Sequence, residues 1–277
     1  LTVFCIAISL PNKQKVWYDR GKRIPEADVQ FNTAGVVRMA EAIVFIDSEI
    51  GVSDKKIADL GAVKENNIQF HSPSIRDFSA FIADAAFLCG HNIIHHDLYY
   101  LRPLLAQPLS AKPIDTLYLS PLLFPERPYH ALLKDDKLQT NELNNPLNDA
   151  EKARRLFYDE VNAFSELSAR RKDIYYGLLN SLEEFQGFFS FMEYRPLFPD
   201  PEPAIRQEFS GRICENADLR GLISSHPAEL AYALALTGCG DCHSVTPPWV
   251  TKNYPIIELV MRALRGKPCQ SGCPYCQ

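Results

Sequence analysis

Three short apolar runs of strand length follow one another after residue 41. The segments AIVFID, KKIADLGAV and NNIQFH each contain such a run, and polar turns separate them. Three strands in succession predict that a sheet begins with an antiparallel arrangement. Residues 1 to 40 contain one further apolar run and no motif that can be interpreted, so this N-terminal segment is left unassigned.

From residue 74 onwards the hydrophobic spacing changes to a helical period and then alternates. SIRDFSAFIADA predicts a helix, AFLCG a strand, residues 97 to 105 a helix and PIDTLYL a strand. A loop rich in Pro and charge is predicted from Pro121 to Asn145. A long helix then begins with Asn145 as N-cap and Pro146 in the first turn. The pattern predicts an α/β fold with a mixed sheet flanked by helices.

The chain divides into four segments on this pattern. Residues 1–40 are unassigned, 41–165 form the α/β domain, 166–237 form a helical extension with a Pro-rich break, and 238–277 are rich in Cys. The absence of an initial Met and the Cys cluster at the end lead us to expect that the chain is a piece of a longer protein.

Composition limits the functional classes. The 277 residues are 46% hydrophobic and 23% charged, which is enough for one large domain and an appendage. No apolar run reaches the length of a membrane span and no leader is recognisable, so we expect a cytoplasmic protein without a membrane partner. The net charge of -5 argues against a uniformly basic nucleic-acid surface. An acidic pocket that binds metal ions is compatible with that charge.

Asp47 and Glu49 directly follow the apolar run AIVFI. Period-two alternation places both carboxylates on one side of the strand end. Two carboxylates that close together repel each other unless a cation neutralises them, so a hard metal ion is one interpretation. The alternative is an ordinary solvated strand end.

Two further acids begin helices. Asp97 follows FLCGHNIIHH at the head of an apolar helix, and Asp149 lies in the first turn of the long helix. A helix start favours a carboxylate electrostatically. Each could therefore be an ordinary first-turn acid, and neither identifies a site by itself.

Taken in order, these pieces resemble the DEDD exonuclease superfamily, which includes polymerase proofreading domains and ribonuclease T. The resemblance spans about residues 42 to 165 and rests on FIDSE with IADLGAV, FLCGHNIIHHDLYYL and PLNDAEKARRLF. It implies a ribonuclease H-like fold and a DEDDh-type 3′→5′ exonuclease. By this resemblance Asp47, Glu49, Asp97 and Asp149 would hold two Mg²⁺ or Mn²⁺ ions roughly 3.5 to 4 Å apart, which hydrolyse the terminal phosphodiester.

The sequence departs from the family pattern at the general base. The positions where the two branches of the family carry His or Tyr are Asn144 and Asn145 here. His130, on the preceding loop, is the candidate replacement, because an imidazole titrates near neutral pH. An alternative alignment takes HALLKD as the last motif and pairs His130 with Asp135, although no apolar helix begins there. His130 could also be a surface residue without a role.

The C-terminal cysteines predict a second metal site. Cys239 and Cys242 form one CxxC, and Cys273 and Cys276 form another. Two such pairs can present four thiolates to a structural zinc ion, and His243 could also serve as a ligand. Reduced thiols without a metal are the alternative.

Several segments also resemble the exonuclease region that precedes some bacterial RecQ-type DNA helicases. These are KDDKLQTNELNNPLNDA, ICENADLRGLISSHPAELAYALAL, SVTPPWV and CQSGCPYC. The resemblance implies a helicase domain in the same natural chain and a nucleic-acid partner, either single-stranded DNA or a 3′ end. Two alternatives remain at this point. One is an inactive nuclease-fold module that binds nucleic acid or a protein, and the other is a zinc-stabilised adaptor.

Overall fold

The structure is a computed structural model that describes residues 43–51, 53–105, 107–132, 145–240 and 245–265. It also describes the backbone of five strands before residue 43. These are β1 (Ile6–Ser9), β2 (Lys15–Asp19), β3 (Lys22–Ile24), β4 (Val29–Phe31) and β5 (Val37–Met39). The first three form one antiparallel sheet and the last two form another.

The central sheet has five strands in the order β10-β9-β6-β7-β8. Its strands are β6 (Ile43–Ile50), β7 (Ile57–Lys64), β8 (Gln69–His71), β9 (Phe87–Gly90) and β10 (Lys112–Asp115). β6, β7 and β8 pair antiparallel, whereas β9 pairs parallel with both β6 and β10. The antiparallel start and the mixed sheet predicted from the hydrophobic pattern are therefore confirmed.

Eleven helices surround this sheet in the described ranges. They are α1 (Ile75–Phe81), α2 (Asp97–Leu101), α3 (Thr116–Leu123), α4 (Pro146–Glu166), α5 (Ala169–Leu179), α6 (Glu183–Met192), α7 (Pro201–Glu208), α8 (Leu219–Ser225), α9 (Pro227–Gly238), α10 (Pro248–Asn253) and α11 (Ile257–Arg265). A 3-10 turn, Arg102–Leu104, extends α2. Side-chain N-caps begin several of them, as at Ser74 and Asn145. None of these helices combines the length and the apolar character that a membrane span requires.

Alternate residues of each strand pack into two different layers. Val44, Ile46 and Leu88 pack in one cluster with apolar residues of α1 and α2. Phe45 and Cys89 face the opposite layer, which contains apolar residues of α4 and α6. The central strands β6 and β9 are thus buried on both faces, which explains why they have almost no polar positions before their ends.

The second layer continues into the C-terminal helices without interruption. Apolar residues of α9, α10 and α11 belong to the same buried cluster as those of α4. Trp249 of α10 packs against Tyr118 of α3 with ring centroids 4.7 Å apart. The core therefore extends across residue 165, where the sequence pattern placed a domain boundary.

Three elements differ from the sequence pattern. The predicted strand in PIDTLYL ends at Asp115, and α3 begins at Thr116 because the Asp115 carboxylate caps that helix by accepting from Leu117 N. That helix runs to Leu123, into the predicted loop. The described parts of 238–277 contain α10 and α11, which the Cys pattern did not predict.

Candidate metal centre

Strand alternation separates the side chains at the end of β6. Phe45 lies on the α4 side of the sheet and Ile46 on the α1 side. Continuing that alternation places Asp47 and Glu49 on the α4 side, and Ser48 on the α2 side. The pair of acids predicted on one side of the strand end is therefore directed towards α4.

Asp149 reaches the same place through the first turn of α4. The Asn145 side chain accepts from Leu147 N and Asn148 N, and Pro146 occupies the first helical position. Gly61 of β7 lies opposite Asp47 in the strand register. A Cβ atom on Gly61 would collide with backbone atoms of Pro146 and Leu147. The missing side chain of this glycine therefore allows the start of α4 to approach the strand that faces Asp47.

Asp47, Glu49 and Asp149 could hold a metal ion. One carboxylate oxygen from each lies within 4.8 Å of the others, and all three residues are half-buried. Oxygen ligands from carboxylates are those that Mg²⁺, Mn²⁺ and Ca²⁺ prefer. Lys152 Nζ lies 3.2 Å from Asp149 Oδ1, so one cationic side chain already partly balances this negative charge.

Among the described residues Asp97 does not belong to this group of three close carboxylates, although it is hydrogen-bonded to the strand that carries two of them. Its side chain is only 2% exposed. Asp97 Oδ1 accepts from Ser48 N at 2.7 Å and from Ser48 Oγ at 2.6 Å. Because Ser48 stands between Asp47 and Glu49, these bonds fix the fourth acid to the same strand end.

The loop between β9 and α2 is held by Asp115, a residue that the sequence pattern placed within a strand. The buried Asp115 carboxylate accepts from the backbone N–H groups of Asn92, Ile94 and Leu117. Burial raises the pKa of Asp115 to about 7, against the opposing effect of these three donors. An Asp before an apolar helical run is the N-cap signal that could have indicated this role.

His96, in the same loop, is a second residue that the sequence pattern did not single out. Its Nδ1 atom lies 3.5 Å from Asp97 Oδ2. Hydrogen bonding to the Asp97 carboxylate raises the pKa of His96, and Glu49 adds to this effect. His96 is therefore an exposed imidazole next to two of the predicted metal-binding acids.

His130, the predicted general base, is buried against α3. Its Nδ1 atom is hydrogen-bonded to Ser120 Oγ at 2.8 Å, and no residue in the described part of the chain forms a hydrogen bond with its Nε2 atom. Burial lowers the pKa of His130 to about 4 and that of the neighbouring His91 to about 4 as well. His91 Nδ1 is bonded to Thr116 Oγ1 at 2.9 Å. His130 therefore belongs to a buried polar group on α3 in this structure, and its role as base stays a prediction.

Several predicted residues lie outside the described part of the chain. They are Asn144, Asp135, Cys242, His243, Cys273 and Cys276. Cys239 is described and half-buried at the end of α9. The zinc site therefore stays a prediction.

Comparisons with known proteins leave the acidic cluster as the main guide to function. No protein-family model, no curated protein and no solved structure matches this chain.

Proposed function

We propose that this protein is a 3′→5′ exonuclease that uses two Mg²⁺ or Mn²⁺ ions to hydrolyse terminal phosphodiester bonds of nucleic acid. The proposal rests on the three carboxylate oxygens of Asp47, Glu49 and Asp149 that lie within 4.8 Å of one another. These acids come from elements about 100 residues apart in the sequence. Three carboxylates that close together repel one another, and a bound metal ion would add to the charge compensation that Lys152 provides at Asp149.

The fold around the acids supports the same proposal. The sheet begins with three antiparallel strands and continues with two parallel strands reached through helices, as the resemblance to the DEDD exonucleases implies. Asp47 and Glu49 lie near the end of the central strand β6. Asp97 and Asp149 lie in the first turns of α2 and α4. These positions support the expectation, implied by the resemblance, that the four acids act at one site.

The chain's own residues would divide the work at this site. Asp47, Glu49 and Asp149 would hold the ions, and Asp97, fixed by Ser48, would supply the fourth carboxylate. Bound divalent ions activate a water nucleophile and stabilise negative charge on the departing 3′ oxygen. The Asp115 carboxylate would keep the β9–α2 loop in place, so that Asp97 and His96 keep their positions relative to β6.

The test is digestion of single-stranded oligonucleotides labelled at either end, with Mg²⁺ or Mn²⁺. We expect a ladder that shortens from the 3′ end, and loss of at least about a hundredfold in rate for Asp149→Asn. Asp159→Asn is the matched control, because Asp159 lies exposed on the same helix. Absence of cleavage by the wild type, or full activity of Asp149→Asn, would contradict the proposal.

The position of His130 favours a second candidate function. Its imidazole is tied to Ser120 and buried, and Asn residues occupy the usual positions of the base. A nuclease fold without a base would bind nucleic acid and fail to cleave it. Tight, metal-dependent binding of an oligonucleotide that remains intact would identify this inactive binding module. Preference for DNA, a helicase partner and the zinc site all stay predictions.

A further inference from the structure

Lys152 places a positive charge beside the acidic cluster. It lies about one turn beyond Asp149 in α4, and its Nζ atom is 3.2 Å from Asp149 Oδ1. Residues three apart share a face of a helix, so this ion pair is built into the helix that brings Asp149 to Asp47 and Glu49. The described structure thus sets an ammonium group against the three carboxylates.

Both partners of this ion pair are largely withdrawn from water. The side chain of Lys152 is 25% exposed and that of Asp149 is 27% exposed. Partly buried charges interact more strongly than charges on an open surface, because less water and salt screens them. The Lys152 ammonium group therefore competes with any other cation that approaches Asp149.

A divalent ion and the Lys152 ammonium group oppose each other at Asp149. An ion that binds Asp149 Oδ1 needs the oxygen that Lys152 already contacts. An ion that binds Asp149 Oδ2 instead comes close to a like charge, which disfavours its binding. In both cases Lys152 lowers the affinity of the site for metal while its ammonium group stays beside Asp149.

A phosphate group would remove this opposition. The phosphodiester of a substrate brings negative charge to the same place, and a lysine ammonium group binds phosphate oxygens as a point charge. The lysine side chain has a flexible four-carbon stem. Lys152 can therefore exchange Asp149 for a phosphate oxygen by rotating its own bonds, without a movement of α4.

We propose that Lys152 couples metal binding to substrate binding. Its ammonium group holds Asp149 when no phosphate is present and moves to a phosphate oxygen when the substrate arrives. The site then binds metal ions weakly by itself and more tightly together with a nucleic-acid end. The identity of this substrate rests on the proposed exonuclease function, whereas the competition between Lys152 and the metal ion does not depend on cleavage.

The test measures Mn²⁺ affinity by calorimetry for the wild type, Lys152→Met and Lys152→Arg. Methionine keeps an unbranched stem without the charge, and arginine keeps the charge. Arg154→Met is the matched control. Arg154 is 22% exposed on the same helix and pairs with Glu151, three residues away, at 3.8 Å. Among the described residues, Glu151 does not belong to the group of three close carboxylates.

Each titration is repeated with two small probes. Thymidine 5′-monophosphate is the kind of product that 3′→5′ cleavage releases, and thymidine lacks its phosphate. Binding of Mn²⁺ to the free nucleotide is measured separately and subtracted.

We expect Lys152→Met to bind Mn²⁺ at least about tenfold more tightly than the wild type, because a nearby like charge shifts an ionic equilibrium by about one unit or more. Thymidine 5′-monophosphate should tighten Mn²⁺ binding by the wild type and by Lys152→Arg, and should have a smaller effect in Lys152→Met. Thymidine should have no effect. Arg154→Met should behave as the wild type does.

The outcomes separate this inference from the exonuclease proposal. Equal Mn²⁺ affinity in the wild type and Lys152→Met, an equal gain in Arg154→Met, or an equal effect of the nucleotide in the wild type and Lys152→Met would overturn the inference. Cleavage of oligonucleotides would still stand in these cases. The expected Mn²⁺ results in a protein that cleaves no oligonucleotide would support the inference and contradict the exonuclease. Absence of Mn²⁺ binding in the wild type and in Lys152→Met would overturn both.

Discussion

Gly61 lies directly opposite Asp47 in the antiparallel pair of β6 and β7, and the first turn of α4 rests on it. A side chain at this position would push against Pro146 and Leu147. Since Asp149 follows in that same turn, its distance from Asp47 depends on a residue that carries no functional group. The acidic cluster thus relies on close approach of a helix to a strand.

Gly61→Ala should separate Asp149 from Asp47 and Glu49. Overpacking of this kind typically costs about 1–3 kcal/mol in the free energy of unfolding. We expect metal affinity, measured by calorimetry with Mn²⁺, to fall at least about tenfold. Gly177→Ala in α5 is the control, because the nearest atoms to a Cβ there belong to the Pro201 side chain, at 3.1–3.3 Å, and not to the start of α4. Unchanged Mn²⁺ affinity in Gly61→Ala would show that α4 does not depend on this contact.

Asp47→Asn should remove stabilisation by metal while sparing the metal-free protein. A ligand at 100 times its Kd stabilises the folded state by about 2.7 kcal/mol. For a chain of this size this corresponds to a rise in Tm of about 5–10 °C. We expect the wild type to show this rise with Mn²⁺ in a thermal melt, and Asp47→Asn to show none.

The metal-free Tm of Asp47→Asn, compared with the metal-free Tm of the wild type, is the more discriminating measurement. Neutralising one of three close carboxylates relieves repulsion, which offsets what the variant loses in its other contacts, so its metal-free Tm should stay within a few degrees of that of the wild type. Asp159→Asn should keep the wild-type response to Mn²⁺. A metal-free Tm that falls by several degrees in Asp47→Asn would instead indicate that the acid is needed for folding.

Ser48→Ala should loosen Asp97 without removing any carboxylate. The variant loses the bond from Ser48 Oγ to Asp97 Oδ1 and keeps the one from Ser48 N. A hydrogen bond to a charged group contributes about 1.5–3 kcal/mol, so urea denaturation should show a loss in that range. Oligonucleotide cleavage should fall about tenfold, and Ser48→Thr should restore it by supplying the hydroxyl. Equal activity of Ser48→Ala and the wild type would refute this positioning role.

Glu160 should make stability depend on pH. It is fully buried in α4, and neither carboxylate oxygen has a hydrogen-bond partner among the described residues. Burial raises the pKa of Glu160 well above its usual value, and repulsion by Asp115 adds to this. Just above about pH 4.3, the Glu160 carboxyl loses its proton in the unfolded chain and keeps it in the folded protein. The folded state therefore loses stability as pH rises above that value, until the folded carboxyl also ionises.

Glu160→Gln should remove this dependence. As the pH rises, the free energy of unfolding of the variant should increase relative to that of the wild type by up to about 1.4 kcal/mol per pH unit. Urea denaturation at pH 5 and pH 8 measures this difference, and the buried amide adds only a cost that is constant with pH. Glu166→Gln, exposed on the same helix, should show no such trend. Parallel pH profiles for the wild type and Glu160→Gln would contradict the assignment.

Local patterns in the sequence were sufficient to predict the central strands, the start of α4 and the shared side of Asp47 and Glu49. The apolar runs of β6, β7 and β9 predict strands, and residues 43–46, 60–63 and 87–90 within them are buried. Asn145 and Pro146 predict the start of α4 because capping and a fixed φ act within one turn. Asp47 and Glu49 share a side of β6 through the two-residue period alone. These features depend on neighbours in the chain, which is why they can be predicted from local sequence.

The way the acids come together, and the polar groups that support them, depend on contacts between distant parts of the chain. Asp149 joins Asp47 because Gly61 admits α4, and Asp97 joins through Ser48, 49 residues away in sequence. The burial of His130 depends on its packing against α3. The distances between segments that are far apart in the chain depend on packing and, at Gly61, on the absence of a Cβ atom. Hydrophobic periodicity does not encode these distances.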